Sequence, residues 1–201
     1  MPDLRAGRLR VAVLISGSGS NMAALIDAAR ADHSPFEIAL VISNRADAGG
    51  LSIAREKGVA VAAIDHRPFG KDREAHERAV DAVLQEHRVE VVALAGYMRL
   101  LTPWLVRRWA GRMLNIHPSL LPNYPGLDTH ARALAAGDLE AGCTVHLVTE
   151  GVDEGPILAQ ARIPILSDDT PASLAQRVLT SEHQLYPRAL ADFCRSQMRS
   201  L

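Results

Sequence analysis

The run Asn115-Ile116-His117-Pro118-Ser119-Leu120-Leu121-Pro122 sets an amide and an imidazole two residues apart, behind apolar Met113 and Leu114, and closes with two prolines around Ser-Leu-Leu. Alternate side chains on a strand share a face, so Asn115 and His117 project together from a strand end. Such a pair suits acyl transfer. That reaction needs a donor for the oxyanion on the attacked carbonyl, a group that moves protons from nucleophile to leaving group, and something to set the imidazole's charge. Asn115 donates through its amide, His117 donates as imidazolium or relays a proton, and a carboxylate stabilises the charged ring. Asp153, in the acidic turn Thr149-Glu150-Gly151-Val152-Asp153-Glu154-Gly155, offers that carboxylate. With an amine as acceptor no side-chain nucleophile is required, and Ser119 belongs to the proline-bracketed scaffold behind His117. Each residue also has a structural reading: Asn115 as a strand-end cap, His117 as a satisfied, partly buried ring, Asp153 as a solvated turn residue.

These groups need a sheet to carry them. Leu9 to Ile15 is a short, β-branched, nearly continuous apolar run, as expected of a central parallel strand buried on both faces. It stops at Ser16-Gly17-Ser18-Gly19-Ser20-Asn21, and Met22 to Ala29 forms a helix that Ser20 or Asn21 can cap. A strand, a glycine-rich turn and a helix in that order aim backbone N–H groups at an anion, although the same turn also serves as a plain tight connection. No Gly-Lys-Ser/Thr follows, and Met22 stands where the dinucleotide pattern has its third glycine, so a phosphate monoester suits the turn better than a nucleoside triphosphate or NAD.

The alternation continues with strands at 38–42, 59–64 and 90–96 and helices at 50–57 and 71–87, while Thr102-Pro103 opens a helix through Trp109. Parallel βαβ units with right-handed crossovers follow. A helix from Thr129 to Ala136 ends at Gly137-Asp138. The strands 144–148 and 155–165 then pair with antiparallel or mixed sense. Thr170-Pro171 opens a final helix with Leu174, Val178, Leu179 and Leu185 at near-helical spacing, followed by a polar tail. The expected fold class is α/β: a single domain over 1–201 with a mostly parallel twisted sheet of the Rossmann-like doubly wound type and an antiparallel C-terminal extension. Its core spans about 9–190, with terminal extensions at 1–8 and 191–201.

The composition, 48% hydrophobic and 22% charged, is that of a globular chain able to bury one sizeable core. Lys+Arg 22 against Asp+Glu 23 leaves a net charge of -1, which gives no footprint for nucleic acid or an anionic membrane and directs attention to small-molecule substrates. The apolar run after Arg10 is too short for a signal segment or a membrane span. Cys143 and Cys194 lack metal-ligand spacing and are expected as free thiols in a reducing compartment, with no metal. The expected location is the cytoplasm, and a homodimer is left open.

The motif Asn115 to Pro122, followed by Tyr124-Pro125-Gly126, resembles the signature of the folate-dependent formyltransferases. Three further pieces resemble the branch acting on phosphoribosylglycinamide: Ile15 to Asn21, Ala95-Gly96-Tyr97-Met98-Arg99-Leu100-Leu101, and Val145-His146 through Asp153-Glu154-Gly155-Pro156. The similarity covers about Leu9 to Leu190. It implies transfer of a formyl group from 10-formyltetrahydrofolate, a co-substrate used without a metal, to the glycyl amine of 5-phosphoribosylglycinamide in purine synthesis. Asn115, His117 and Asp153 match the family's catalytic positions. Gly19, Ser20, Asn21 and Met22 match its phosphate cradle, and Glu182 a ribose-holding position. Met98, Arg99, Leu100 and Leu101, with Asn115 and the loop Thr149, Glu150, Gly151, Val152 and Asp153, match its folate pocket, and Arg73 a position facing the folate's glutamate end. Asp128, where many relatives carry histidine, and Leu179, where a polar residue is frequent, depart from the pattern. The related deformylases and tRNA formyltransferases carry extra regulatory or RNA-binding domains, which are not expected in this chain.

Overall fold

The computed structural model describes residues 7–199. The strands are β1 (Leu9–Ile15), β2 (Phe36–Ser43), β3 (Val61–Ala63), β4 (Val91–Leu94), β5 (Met113–His117), β6 (Glu140–Leu147) and β7 (Ile157–Pro164). The helices are α1 (Ser20–Ala29), α2 (Gly49–Glu56), α3 (Arg73–Glu86), α4 (Pro103–Arg108), α5 (Thr129–Ala136) and α6 (Pro171–Met198). The strands form one sheet in the order β3-β2-β1-β4-β5-β6-β7. Pairing is parallel from β3 through β5 and antiparallel between β5 and β6 and between β6 and β7. This is the expected α/β class, with the antiparallel extension at the C-terminal side.

Burial on both faces follows from strand alternation. Val11, Val13 and Ile15 of β1 join a cluster with Met22 and Leu25 of α1 and Leu174, Val178 and Leu185 of α6. Ala12 and Leu14 point the other way, into a second cluster with Val80 and Leu84 of α3 and Leu105 and Trp109 at α4. Leu114 and Ile116 of β5 lie in the first cluster, so alternation turns Asn115 and His117 to the opposite face. They project from a sheet face beside a strand end. A helix of only six residues, α4, leaves room there for loops.

Several boundaries differ from the sequence reading for local reasons. The N-cap of α1 is Gly19, in the left-handed region at φ 74, with no side-chain cap hydrogen bond. The expected caps are otherwise placed: Ser20 is the first helical residue, and the Asn21 amide turns inward to Glu182. Strand β3 begins two residues later than expected because Val59 N–H donates to Ala54 O and closes α2. A 3-10 turn at Arg67–Phe69 precedes α3, which starts after Asp72 because the Asp72 carboxylate caps Ala75 N–H at 2.9 Å. Thr102 occupies the N-cap position of α4, but its hydroxyl and N–H both donate to Glu77 instead. The expected terminal extension 191–201 is helical through Met198, and it buries Phe193 and Cys194. Of the extension 1–8, residues 1–6 lie outside the described residues.

Helix α6 is fixed to the sheet by Tyr186, which is fully buried and shares its hydroxyl between the carbonyls of Leu94 (3.0 Å) and Leu114 (3.3 Å). The phenol therefore bridges β4 and β5 just before the residues of chemical interest. Tyr186→Phe keeps the ring and removes the donor, and should cost about 1–2 kcal/mol of unfolding free energy with an unchanged denaturant slope. Guanidinium titration followed by circular dichroism checks both values.

Candidate active site

The chain runs outward from β1 through β2 to β3 and then returns to β4 on the other side of β1, so the strand order reverses there. In open α/β sheets a crevice forms at such a reversal, outside the carboxyl ends of the strands. A cavity of about 550 Å³ occupies it, lined by residues 16–21, Asn44, Arg45, His66, Ala95, Gly96, Met98, Arg99 and Leu179. The first-turn amides of α1 have no intrahelical partners, and with the helix dipole they favour an anion. The turn is shaped by contact between glycines: a Cβ on Gly19 would stand 2.9 Å from Gly50 Cα, and one on Gly50 would stand 2.5 Å from Ile15 Cδ1. Gly50 N–H also donates to Gly17 O at 3.0 Å, locking the start of α2 against the turn.

At the inner end of the cavity Asn21 Nδ2 donates to Glu182 Oε2 at 2.6 Å. Burial pushes the Glu182 carboxyl above its ordinary range, and the Asn21 hydrogen bond pulls it back only in part. Asn21 Oδ1 is buried and has no hydrogen-bond partner among the described residues. A carboxyl and an amide oxygen side by side are suited to hydroxyl groups of a ligand.

One strand further on, Leu94 pairs with Asn115, and Asn115 pairs with His146 across the antiparallel junction. The turn after β6 folds back over this face and brings Asp153 to them. Asp153 Oδ2 accepts from Gly126 N–H at 2.9 Å and lies 3.2 Å from His117 Nδ1. Its Oδ1 lies 3.5 Å from Asn115 Nδ2 and 3.6 Å from His146 Nε2. Burial pushes the Asp153 carboxyl up, but hydrogen bonds to His146 and Gly126 N–H and the charges of the two histidines outweigh it and hold the group below its ordinary value. It is therefore a carboxylate at neutral pH. The Asp153 backbone sits in the left-handed region at φ 56, a conformation that aspartate tolerates better than most residues.

His117 Nε2 lies 2.9 Å from Tyr124 O while Nδ1 faces Asp153. Both partners are acceptors, so the ring satisfies both only when both nitrogens carry hydrogen. The Tyr124 carbonyl is held in place by the scaffold: Ser119 Oγ meets Asn123 O at 2.6 Å and Tyr124 O at 3.2 Å, and Thr144 Oγ1 accepts Leu121 N–H and donates to Ser119 O. Tyr124 and Gly126 had no expected role; they matter through main-chain atoms, which residue types do not reveal. His146 is the side chain that the sequence reading passed over. Its Nδ1–H reaches Leu147 O at 2.9 Å, and its Nε2 lies between Asn115 Nδ2 at 3.2 Å and Asp153 Oδ1 at 3.6 Å. Its place in an alternating strand was visible, but the register that sets it beside Asn115 was not.

The other expected positions are distributed. Gly19, Ser20 and Asn21 line the cavity, with Leu179 at its side, and Met22 is buried beneath the turn. Met98 and Arg99 line it too, whereas Leu100 is 61% exposed and Leu101 packs on the second cluster. Thr149 and Val152 are exposed, Gly151 is half-buried, and Glu150 pairs with Arg107 at 2.6 Å, anchoring the loop to α4. Arg73 is exposed at the first turn of α3, outside the cavity lining. Asp128 is in the left-handed region at φ 57 as the N-cap of α5, without a side-chain cap. Cys143 and Cys194 are buried, and burial pushes both thiols up to about 12.

A family model described as formyl transferase matches residues 9–190. This chain belongs to the formyl transferase family. It is 43% identical to phosphoribosylglycinamide formyltransferase of Escherichia coli K12, over 95% of this chain and 90% of that protein. It is 50% identical to the trifunctional purine biosynthetic protein adenosine-3 of Drosophila melanogaster, over 92% of this chain but only 14% of that much longer protein. The crystal structure of phosphoribosylglycinamide formyltransferase from Brucella melitensis superposes with a TM-score of 0.89 at 55% identity, covering 93% of this chain and 96% of that one. Glycinamide ribonucleotide transformylase 1 from Symbiobacterium toebii gives a TM-score of 0.91 at 46% identity, covering 96% and 90%. Formyl transfer thus frames the chemistry of the two neighbouring regions.

Because the folded-state Glu182 carboxyl ionises above its unfolded value, its contribution to stability is complete below the unfolded value and is lost as pH rises through the folded one. Glu182→Gln keeps an acceptor for Asn21 and never ionises. Its melting temperature relative to the native protein should therefore rise as pH increases from about the unfolded carboxyl value upward. Thermal melts across that range check it, and a gap that is flat or narrows with pH refutes it.

Proposed function

We propose that the chain transfers a formyl group from 10-formyltetrahydrofolate to the glycyl amine of 5-phosphoribosylglycinamide, a step of purine synthesis in the cytoplasm, and that residues 9–190 form the unit that does so. The observation that carries this reading is the convergence of Asn115, His117 and Asp153 on one sheet face, across β4 from the strand whose end carries an anion-suited turn. The relatives named for this activity and matched over nearly their whole length support it.

In this reading the substrate phosphate sits on the amides of Gly19, Ser20, Asn21 and Met22, and its ribose hydroxyls meet Glu182 and Asn21. The folate lies along Met98, Arg99, Leu100 and Leu101 and under Thr149 to Asp153, with Arg73 reaching its glutamate end. Exposed Met98, Leu100 and Val152 are apolar surface that a flat ring would cover. The glycyl nitrogen attacks the formyl carbon, and the carbonyl oxygen becomes an oxyanion. Asn115 Nδ2 and His117 Nε2–H donate to it, the latter exchanging the Tyr124 carbonyl for the substrate oxygen. Asp153 Oδ2, 3.2 Å from the second nitrogen of His117, orients the ring. The attacking nitrogen loses one proton and the departing folate nitrogen gains one, so the transfer is balanced without a metal or an external acid.

Purified protein should consume 10-formyltetrahydrofolate only when phosphoribosylglycinamide is present, as followed by absorbance of the released tetrahydrofolate. Turnover with water alone would assign the chain to formyl hydrolysis instead. His117→Ala and Asn115→Ala should each lower kcat by about 100- to 1000-fold while leaving folate affinity within a few-fold. Near-native kcat in either variant would overturn its role.

A further inference from the structure

Ser16 lines the cavity at the glycine-rich turn, but its hydroxyl is turned to Asn44 and Met98. It follows the last residue of β1 and opens the glycine-rich turn, and only 8% of its surface is exposed. A serine hydroxyl has one hydrogen and two lone pairs. The hydrogen is directed to Asn44 Oδ1 at 2.6 Å, and a lone pair then faces Met98 N–H, which donates to Ser16 Oγ at 2.8 Å. The Ser16 N–H in turn donates to Gly96 O at 3.1 Å. Among the described residues, the main chain from Tyr97 to Leu101 makes no other hydrogen bond; Tyr97 and Leu101 pack on the second cluster, while Met98 and Leu100 between them are exposed.

Asn44 sets the direction of this contact. It is 3% exposed at the end of β2; its main-chain carbonyl accepts from His66 N–H at 3.2 Å, and its side-chain Nδ2 faces His66 Nδ1 at 3.2 Å, with Oδ1 turned to Ser16. With Oδ1 toward Ser16, the hydroxyl must donate to it and can accept only from Met98. The reversed amide would make the hydroxyl an acceptor from both Asn44 and Met98 N–H and take away the acceptor for its hydrogen.

We propose that Ser16, aimed by Asn44, is a positioning residue that fixes the Met98 to Leu101 main chain and so shapes the folate side of the site from within the phosphate turn. The role in catalysis rests on the formyl transfer reading above; the anchoring of Met98 does not. Phosphate affinity depends on the amides of Gly19 to Met22, which lie beyond Ser16 and are held by the Gly19 and Gly50 contact. The two substrates should therefore respond differently to loss of the hydroxyl.

The test compares Ser16→Ala, Ser16→Thr and Asn44→Asp, the last two retaining the hydroxyl and its acceptor respectively. In Ser16→Ala, KM for 10-formyltetrahydrofolate should rise about 5- to 10-fold, the worth of one hydrogen bond, while KM for phosphoribosylglycinamide stays within about 2-fold. Ser16→Thr and Asn44→Asp should return the folate KM to within about 3-fold of native. Amide hydrogen exchange at Met98, read by NMR without substrates, should accelerate at least about 10-fold in Ser16→Ala, with exchange in β1 and β4 unchanged. Equal changes in both KM values, or unchanged Met98 exchange, overturn the proposal. A native protein without acceptor-dependent turnover instead defeats the formyl transfer reading, and the exchange measurement then decides the positioning role by itself.

Discussion

A single carboxylate draws together three other stretches of the chain. Asp153 receives Gly126 from the loop after β5, faces Asn115 and His117 on β5, and meets His146 on β6. A buried anion is costly unless donors surround it, and here the surrounding donors are the groups whose chemistry matters. The hydrogen bonds that keep the carboxylate ionised are thus the same ones that orient the imidazoles and the amide. Desolvation alone would favour the protonated acid, which would lose an acceptor and release His117 and the Gly126 loop together.

The sheet makes this meeting achievable through a change of strand sense. A wholly parallel arrangement would send the residues after β6 to the far side of a crossover. The antiparallel junction instead sets His146 directly beside Asn115, and the short return to β7 lets the turn at 149–155 fold over the open face. The shortness of α4 leaves that face uncovered, and the Arg107 to Glu150 ion pair fastens the turn to the helix that borders it. Opposite, α6 is pinned by Tyr186 to the carbonyls of β4 and β5, so the layer beneath the site is rigid while the layer above consists of loops.

The parallel half of the fold was legible because each strand is a short β-branched run and each helix begins where glycine, aspartate or proline interrupts it. Asn115 and His117 were legible as a pair through two-residue alternation, and Asp153 through its place in an acidic turn together with the family resemblance. What stayed hidden was set by register and by the main chain. His146 looked like any strand residue until the pairing with Asn115 gave it a neighbour. Tyr124 and Gly126 contribute a carbonyl and an N–H that every residue possesses. Thr102 is the N-cap of α4 as expected, but its hydroxyl goes to Glu77, and Asn21 goes to Glu182 while Gly19 takes the N-cap ahead of Ser20; local pattern cannot register a partner more than twenty residues away.

The acceptor facing His117 Nε2 is a peptide oxygen, and this has a consequence for how the position can vary. Every residue type that tolerates the left-handed backbone of position 124, at φ 55, supplies that oxygen, so the contact does not depend on what the side chain carries. The phenol meanwhile serves a separate purpose, bonding Asp138 Oδ2 at 2.7 Å beneath the Arg132 guanidinium. Within the residues that this backbone tolerates, a change of side chain retunes how firmly the loop is stapled to α5 while the atom presented to the imidazole stays the same.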